Sequence, residues 1–289
     1  MTIQRLTLAF TIIGLTTIFS CKAQQLDDYK LISYLDIKVD SFGNLPRNPY
    51  VLTFKQGNKE LLVIGTQHSF DTLNPMFDTI ENLFYRLKPE LIINVGGNLT
   101  KTYKSRNLAI NKSAELGLEK YLADKAGIKT HNGDESFRQE FDELSKAYSR
   151  EEAILFFGSE RFVFPFAFGQ YEGAIDTSYV NNFIEKDYKQ NDIKLSNNEK
   201  SFDYYKGLYK NYFNTEFTLD TISQLDFTPF SKRNHFCDVS RKSKEFRDKY
   251  LLRQIEEQLD KHNKVMVVYG GWHILAIEPA LKQIMNRLK

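Results

Sequence analysis

Leu61-Leu62-Val63-Ile64-Gly65-Thr66-Gln67-His68 is a short aliphatic run broken by a glycine, which delivers a histidine three residues later. Near the other end of the chain the design recurs: Val265-Met266-Val267-Val268-Tyr269 runs into Gly270-Gly271-Trp272-His273. Aliphatic runs of this kind, bounded by glycine, read as strands buried on both faces, as in the parallel part of an α/β sheet. Two GxxH sequences at the exits of two such strands place His68 and His273 at the carboxyl edge of the sheet, where open α/β sheets hold their ligands. The expected fold class is therefore α/β, a central sheet with flanking helices.

Working outward, Tyr50 to Lys55 and Glu60 to Ile64 flank the turn Gln56-Gly57-Asn58-Lys59 and read as a β-hairpin whose second arm carries the first GxxH. Asn74-Pro75 supplies a cap and a first-turn proline for a helix with Met76, Phe77, Ile80, Leu83, Phe84 and Leu87 on one face. Pro89 stops it, and Leu91-Ile92-Ile93-Asn94-Val95 follows as a buried strand ending at Gly96-Gly97, which completes a βαβ unit. A second helix is expected from about Ala114 to Ala126, closed by Gly127. Ile128 to His131 makes a weaker strand, with Asp134 and Glu135 at its exit. Between about 137 and 230 the alternation is lost, and a mainly helical insertion is expected, with Phe202, Tyr205, Leu208, Tyr209 and Tyr212 at helical spacing. Its many Tyr and Phe residues read as a helical core in preference to an aromatic-lined cleft. Phe246 to Leu259 reads as an amphipathic helix, Lys264 to Tyr269 as a strand, and Ile277, Leu281, Ile284 and Leu288 as one face of a closing helix.

Residues 1–20 carry one charge, Arg5, followed by an uncharged run from Leu6 to Ser20, too short for an ordinary spanning helix and suited to a secretory signal peptide. Ile18-Phe19-Ser20-Cys21 resembles a bacterial lipoprotein box, with Cys21 as the lipidated residue and a membrane anchor; the rival reading is cleavage after Ala23 and release. Residues 21–47 then read as a polar tether, and 48–289 as the domain with its insertion. The 39 basic and 37 acidic residues nearly cancel without a basic run, which argues against nucleic acid as a partner. Cys237, the other cysteine, has no partner for an intramolecular disulfide once Cys21 is lipidated.

Two imidazoles with nearby carboxylates suit a divalent metal ion and a metal-activated water, with Asp134 or Glu135 supplying the carboxylate. Asp134 also reads as an N-cap for the helix starting near Ser136, and Arg247-Asp248 as a solvated helix face unless Arg247 is aimed at developing negative charge. His131, His235 and His262 lack a glycine-turn setting. Phe157-Gly158-Ser159-Glu160 lacks the second glycine of a nucleophile elbow, and neither a Walker loop nor GxGxxG is present.

Taken together, the hairpin leading into GTQH, the Pro89-Glu90-Leu91-Ile92-Ile93 strand, Gly127-Ile128-Lys129-Thr130 with Glu135 after it, Arg247-Asp248 and the late VVYGGWH resemble the TraB/GumN family, related to the Tiki proteases. The resemblance implies an α/β fold with mirrored halves and metal-dependent cleavage of a peptide or related bond, with His68, Glu135 and His273 as metal and catalytic residues and Arg247 in support. Asp248 stands where that family has asparagine, and Val95 where it has a glutamate at the end of the second strand. Valine binds no metal and accepts no proton. Three readings follow: an envelope metallohydrolase acting on a peptide or small molecule, a non-catalytic envelope protein that binds haem, iron or peptide in the same cleft, or an esterase with histidine as base and no metal.

Overall fold

In the computed structural model, residues 29–38, 45, 47–97 and 99–288 are described; the signal-peptide and Cys21 readings lie outside them. A five-stranded mixed sheet in the order β1-β2-β5-β3-β4 forms from β1 (Tyr50–Gln56), β2 (Lys59–Thr66), β3 (Leu91–Asn94), β4 (Lys129–Asn132) and β5 (Lys264–Gly270). The hairpin pairs antiparallel, from Tyr50 opposite Gly65 to Gln56 opposite Lys59, and the remaining pairings are parallel. β5 lies between β2 and β3, so the two strands that lead into the histidine turns are neighbours, with Gly65 opposite Tyr269 and Thr66 opposite Gly270.

Successive strand residues point to opposite faces, and each face is covered by helices. On one side Leu61, Val63, Ile93, Val265 and Val267 pack with Leu251 and Ile255 of α8 (His235–Lys261) and Ile274, Ile277 and Leu281 of α9 (Gly271–Arg287). On the other, Leu62, Ile64, Ile92, Met266 and Val268 pack with Phe77 and Ile80 of α1 (Pro75–Leu87) and Leu118 and Leu122 of α2 (Arg106–Ala126). Burying each such side chain contributes about 1.5–3 kcal/mol. The Asn74 side chain caps α1 by accepting from Met76 N at 3.0 Å.

The segment from 137 to 230 is mainly helical: α3 (Phe137–Ala147), α4 (Arg150–Gly158), α5 (Phe164–Ala167), α6 (Ile175–Ser178), α7 (Phe202–Phe213) and π-helical stretches Ser159–Val163 and Tyr179–Tyr188. It has its own aromatic core, in which Phe202 and Tyr205 stack at 5.3 Å and Phe137 meets Phe157 edge-on at 5.1 Å.

Three local expectations are corrected. The helix expected over Phe246 to Leu259 starts at His235, capped by Asn234. Its first half buries Phe236, Val239, Ser240 and Ser243, a face too polar to show as an apolar stripe. The helix expected from Ala114 starts at Arg106 and breaks at Ser113 and Ala114, where Ala114 adopts φ 49°. Its second arm folds back so closely that a side chain at Gly117 would lie 2.1 Å from Ala109 O. Finally, the stretch expected as tether packs on the domain over residues 29–38: Tyr29, Tyr34 and Ile37 are buried, and Ile32 N donates to Ala276 O at 2.8 Å.

Candidate functional site

The end of β2 and the start of α9 approach so closely that a Cβ on Gly65 would stand 2.9 Å from Gly271 Cα. This contact brings the two histidine turns to one edge of the sheet. There Thr66, Gln67, His68, Val95, Arg247 and His273 line a cleft of about 420 Å³, joined by Lys244 and Trp272. Gly270 caps α9 without a side-chain bond, and the first turn of that helix meets the cleft with its positive end.

His273 is buried in the first turn of α9, with its ring edge-on to Tyr269 at 5.2 Å. Its Nδ1 lies 2.6 Å from Asp248 Oδ1 and 2.9 Å from the Tyr34 hydroxyl, which also reaches Asp248 Oδ2 at 3.1 Å. Burial holds the Asp248 carboxyl well above its ordinary range, and burial with the nearby Arg247 and Lys244 cations holds His273 well below its own. Both shifts favour an uncharged pair. With the Asp248 proton shared toward Nδ1, Nε2 carries a hydrogen and is the ring nitrogen left for the cleft.

Beside this pair the Arg247 guanidinium donates to Asp134 Oδ1 at 2.8 Å and approaches the Tyr269 hydroxyl at 3.4 Å. The same hydroxyl donates to Asp134, and Gly96 N reaches Asp134 Oδ2 at 2.6 Å. Burial alone would raise the Asp134 carboxyl, but Arg247, Tyr269 and the Gly96 N–H outweigh it and hold it below the usual range. Asp134 therefore anchors Arg247, and Ser136, not Asp134, caps α3, in a reciprocal box with Gln139.

His68 is exposed, and its Nδ1 pairs with the buried Glu115 carboxylate on the second arm of α2. The nearness of that carboxylate raises the His68 pKa. One turn further on, Glu119 is fully buried with no hydrogen-bond partner for either oxygen among the described residues. Burial and the neighbouring Glu115 push its pKa well up, so Glu119 is held protonated. Sequence reasoning overlooked both glutamates. The signal was there: Glu115, Leu118, Glu119 and Leu122 form a single helical stripe, which places two acids at core positions.

The structure does not bring Glu135 into the cleft. Its side chain lies beside Glu143, and burial together with Glu140 and Glu143 raises its pKa to about 8. Val95 lines the cleft and supplies no donor. Asp248, expected on a solvated face, is fully buried against His273. His131 bonds Gln254 at 2.6 Å, His262 lies 3.7 Å from Glu90, and His235 pairs with Glu152. Ser159 is buried and bonded to Leu155 O and Tyr205, and Cys237 is buried.

For a divalent metal ion the cleft offers His68, whose Nδ1 is held by the Glu115 carboxylate, the support a ligating histidine has; His273, with a hydrogen on Nε2, has no lone pair there to give. Further ligands are missing, because Glu135 lies outside the cleft and Val95 has none to give. Among the described residues no three or more His, Cys, Asp or Glu side chains group as a metal centre. The donor set falls short of the three protein ligands of a catalytic zinc-type site.

Comparison of the chain with family models, with curated proteins and with solved structures finds no match.

Proposed function

We propose that this protein is an exported hydrolase of a peptide or related acyl bond, similar to the TraB/GumN type in its paired GxxH histidines, with water activated by a carboxylate-backed histidine. The observation that carries this reading is the placement of His68 and His273 on one cleft, each with Nδ1 held by a buried carboxylate. The N-terminal signal and Cys21 would hold it at the cell envelope.

A substrate carbonyl oxygen set at the mouth of α9 would accept from His273 Nε2–H and from the first backbone N–H groups of that helix. Arg247 would add positive charge. Such preorganised donors act on the developing oxyanion, and each is worth about 100- to 1000-fold in rate. His68 Nε2 would take a proton from water as the water oxygen bonds to the carbonyl carbon. The Glu115 carboxylate would stabilise the imidazolium, a general-base contribution of about 100- to 10,000-fold. Collapse breaks the bond to the leaving nitrogen or oxygen, which receives the proton from His68.

The test is hydrolysis of a quenched-fluorescent peptide mixture and of simple acyl esters by the full chain, with and without chelator. Activity that survives chelation and falls at least 100-fold in both His68→Gln and His273→Gln is expected. Activity that chelator abolishes and a divalent metal restores would overturn the metal-free scheme, and the absence of any hydrolysis would end the enzyme reading.

Val95 favours a second reading, a non-catalytic envelope protein that holds peptide, haem or iron in the same cleft. Val95→Glu separates the two. Hydrolysis gained by the variant alone marks a disabled enzyme, whereas unchanged ligand affinity with no hydrolysis marks a binding protein.

A further inference from the structure

Beside His273 a second cavity, about 650 Å³, runs between the helical insertion and the start of α9. Phe164, Phe168, Leu225, Phe227, Phe230 and Trp272 form its apolar lining. Phe164 and Phe227 make a buried floor, edge to face at 5.7 Å. The rim is unusual: Phe168 is 66% exposed, Leu225 60% and Trp272 36%, so several of the large apolar side chains left facing solvent converge on this single groove. Concentrated exposed apolar area of this kind marks a binding site more often than scattered single residues do. Phe230 bridges the groove to the site, meeting the Trp272 ring at 5.0 Å and the Tyr34 ring at 5.8 Å.

The groove adjoins the cleft, and Lys244, Trp272 and His273 line both. A peptide laid across the Trp272 and His273 edge with a carbonyl at His273 would have its adjoining group at the groove. Charge does not select that group, since Lys244 Nζ is already paired with Glu160 Oε2 at 3.0 Å. The ring-lined walls do select, because an aromatic side chain gains edge-to-face contacts there beyond its area burial.

We infer that the helical insertion forms a substrate subsite, in which the Phe164–Trp272 groove receives an uncharged aromatic side chain of a peptide next to the bond presented to His273. The identity of that bond rests on the hydrolase reading; occupancy of the groove does not.

Trp272 is the sole tryptophan of the chain and sits at the junction, so its emission reports occupancy without any turnover. Acetyl-Ala-Phe-Ala-amide is titrated into the full chain alongside its Ala-Gly-Ala and Ala-Asp-Ala counterparts and decanoate. A saturable change with the Phe peptide is expected, at least tenfold tighter than with the others. Phe168→Ser and Leu225→Ser, both at exposed positions, should each weaken it about fivefold with the thermal midpoint unchanged. Equal responses to all four probes, a preference for decanoate, or variants that bind as the wild type overturn the inference. A Phe-selective change without hydrolysis keeps the groove and ends the hydrolase reading. Hydrolysis with the same kcat/KM for Phe and Gly peptides does the reverse.

Discussion

His273 Nδ1 and Asp248 Oδ1 lie 2.6 Å apart in the buried joint between α8 and α9, which leaves Nε2 to face the cleft. The Asp248 carboxyl group acts through the imidazole and fixes its orientation and proton position. Asp248→Leu keeps the bulk and removes the shared proton, which an asparagine amide would still supply, and kcat should fall about 10- to 100-fold with KM nearly unchanged, the cost usual for losing the partner of a functional histidine. Steady-state kinetics check the split; a loss confined to KM would mean that Asp248 only shapes the pocket.

The His68–Glu115 pair carries a pH signature. Because Glu115 raises the His68 pKa, the stabilisation is fully present below the unfolded-state value of about 6.5 and is lost as pH rises through the folded value. A general base must be unprotonated, so the rate should climb across that raised value. Glu115→Gln should move the His68 titration down, read from its imidazole proton resonances, and move the rate profile with it. A titration that does not move would remove Glu115 from the scheme.

Glu119 is held protonated, with a folded pKa well above that of the unfolded chain, so stability falls as pH rises from about 4.5 toward the folded value. Glu119→Gln replaces the neutral acid by an isostere that cannot ionise. Its thermal midpoint should match the wild type near pH 4 and exceed it by several degrees at pH 8. Melting curves at the two pH values decide, and a variant that is less stable at pH 8 would show that the charge has a partner.

Glu135 gives a second, milder case. With its folded pKa at about 8, the wild type should lose stability between about pH 4.5 and 8, and Glu135→Gln should flatten that slope. Because Glu135 lies outside the cleft, hydrolysis should change less than threefold. A loss like that of His68→Gln would return it to the site.

Gly65→Ala tests the close approach of β2 and α9. The added methyl would meet Gly271 Cα at 2.9 Å, and parting the two turns should cost about 1–3 kcal/mol and most of the activity. Thermal unfolding and the peptide assay measure both, and a wild-type midpoint would show that the joint is loose.

The hairpin, the buried strands, α1 with its Asn74-Pro75 start and the mainly helical insertion are legible in the chain alone, because each is written in a local period or a turn residue. The sequence also marked His68 and His273, since glycine turns at strand exits are local signals. What surrounds the two histidines was decided only by tertiary structure. Asp248 and Tyr34 carry no local mark of function, the one a polar residue on a helix and the other in an apparent tether, and Glu115 shows in its helical stripe only as an acid at a core position; all three become partners of the histidines when distant segments pack. Glu135 shows the converse: three residues past the end of β4 in sequence, it is turned toward Glu143, because the chain direction after β4 is set by Asp134 anchoring Arg247 and by the Ser136 cap. Local periodicity fixes which face of an element is buried, whereas the partners that meet there depend on sheet order, and here β5 inserted between β2 and β3 joins two turns about 200 residues apart.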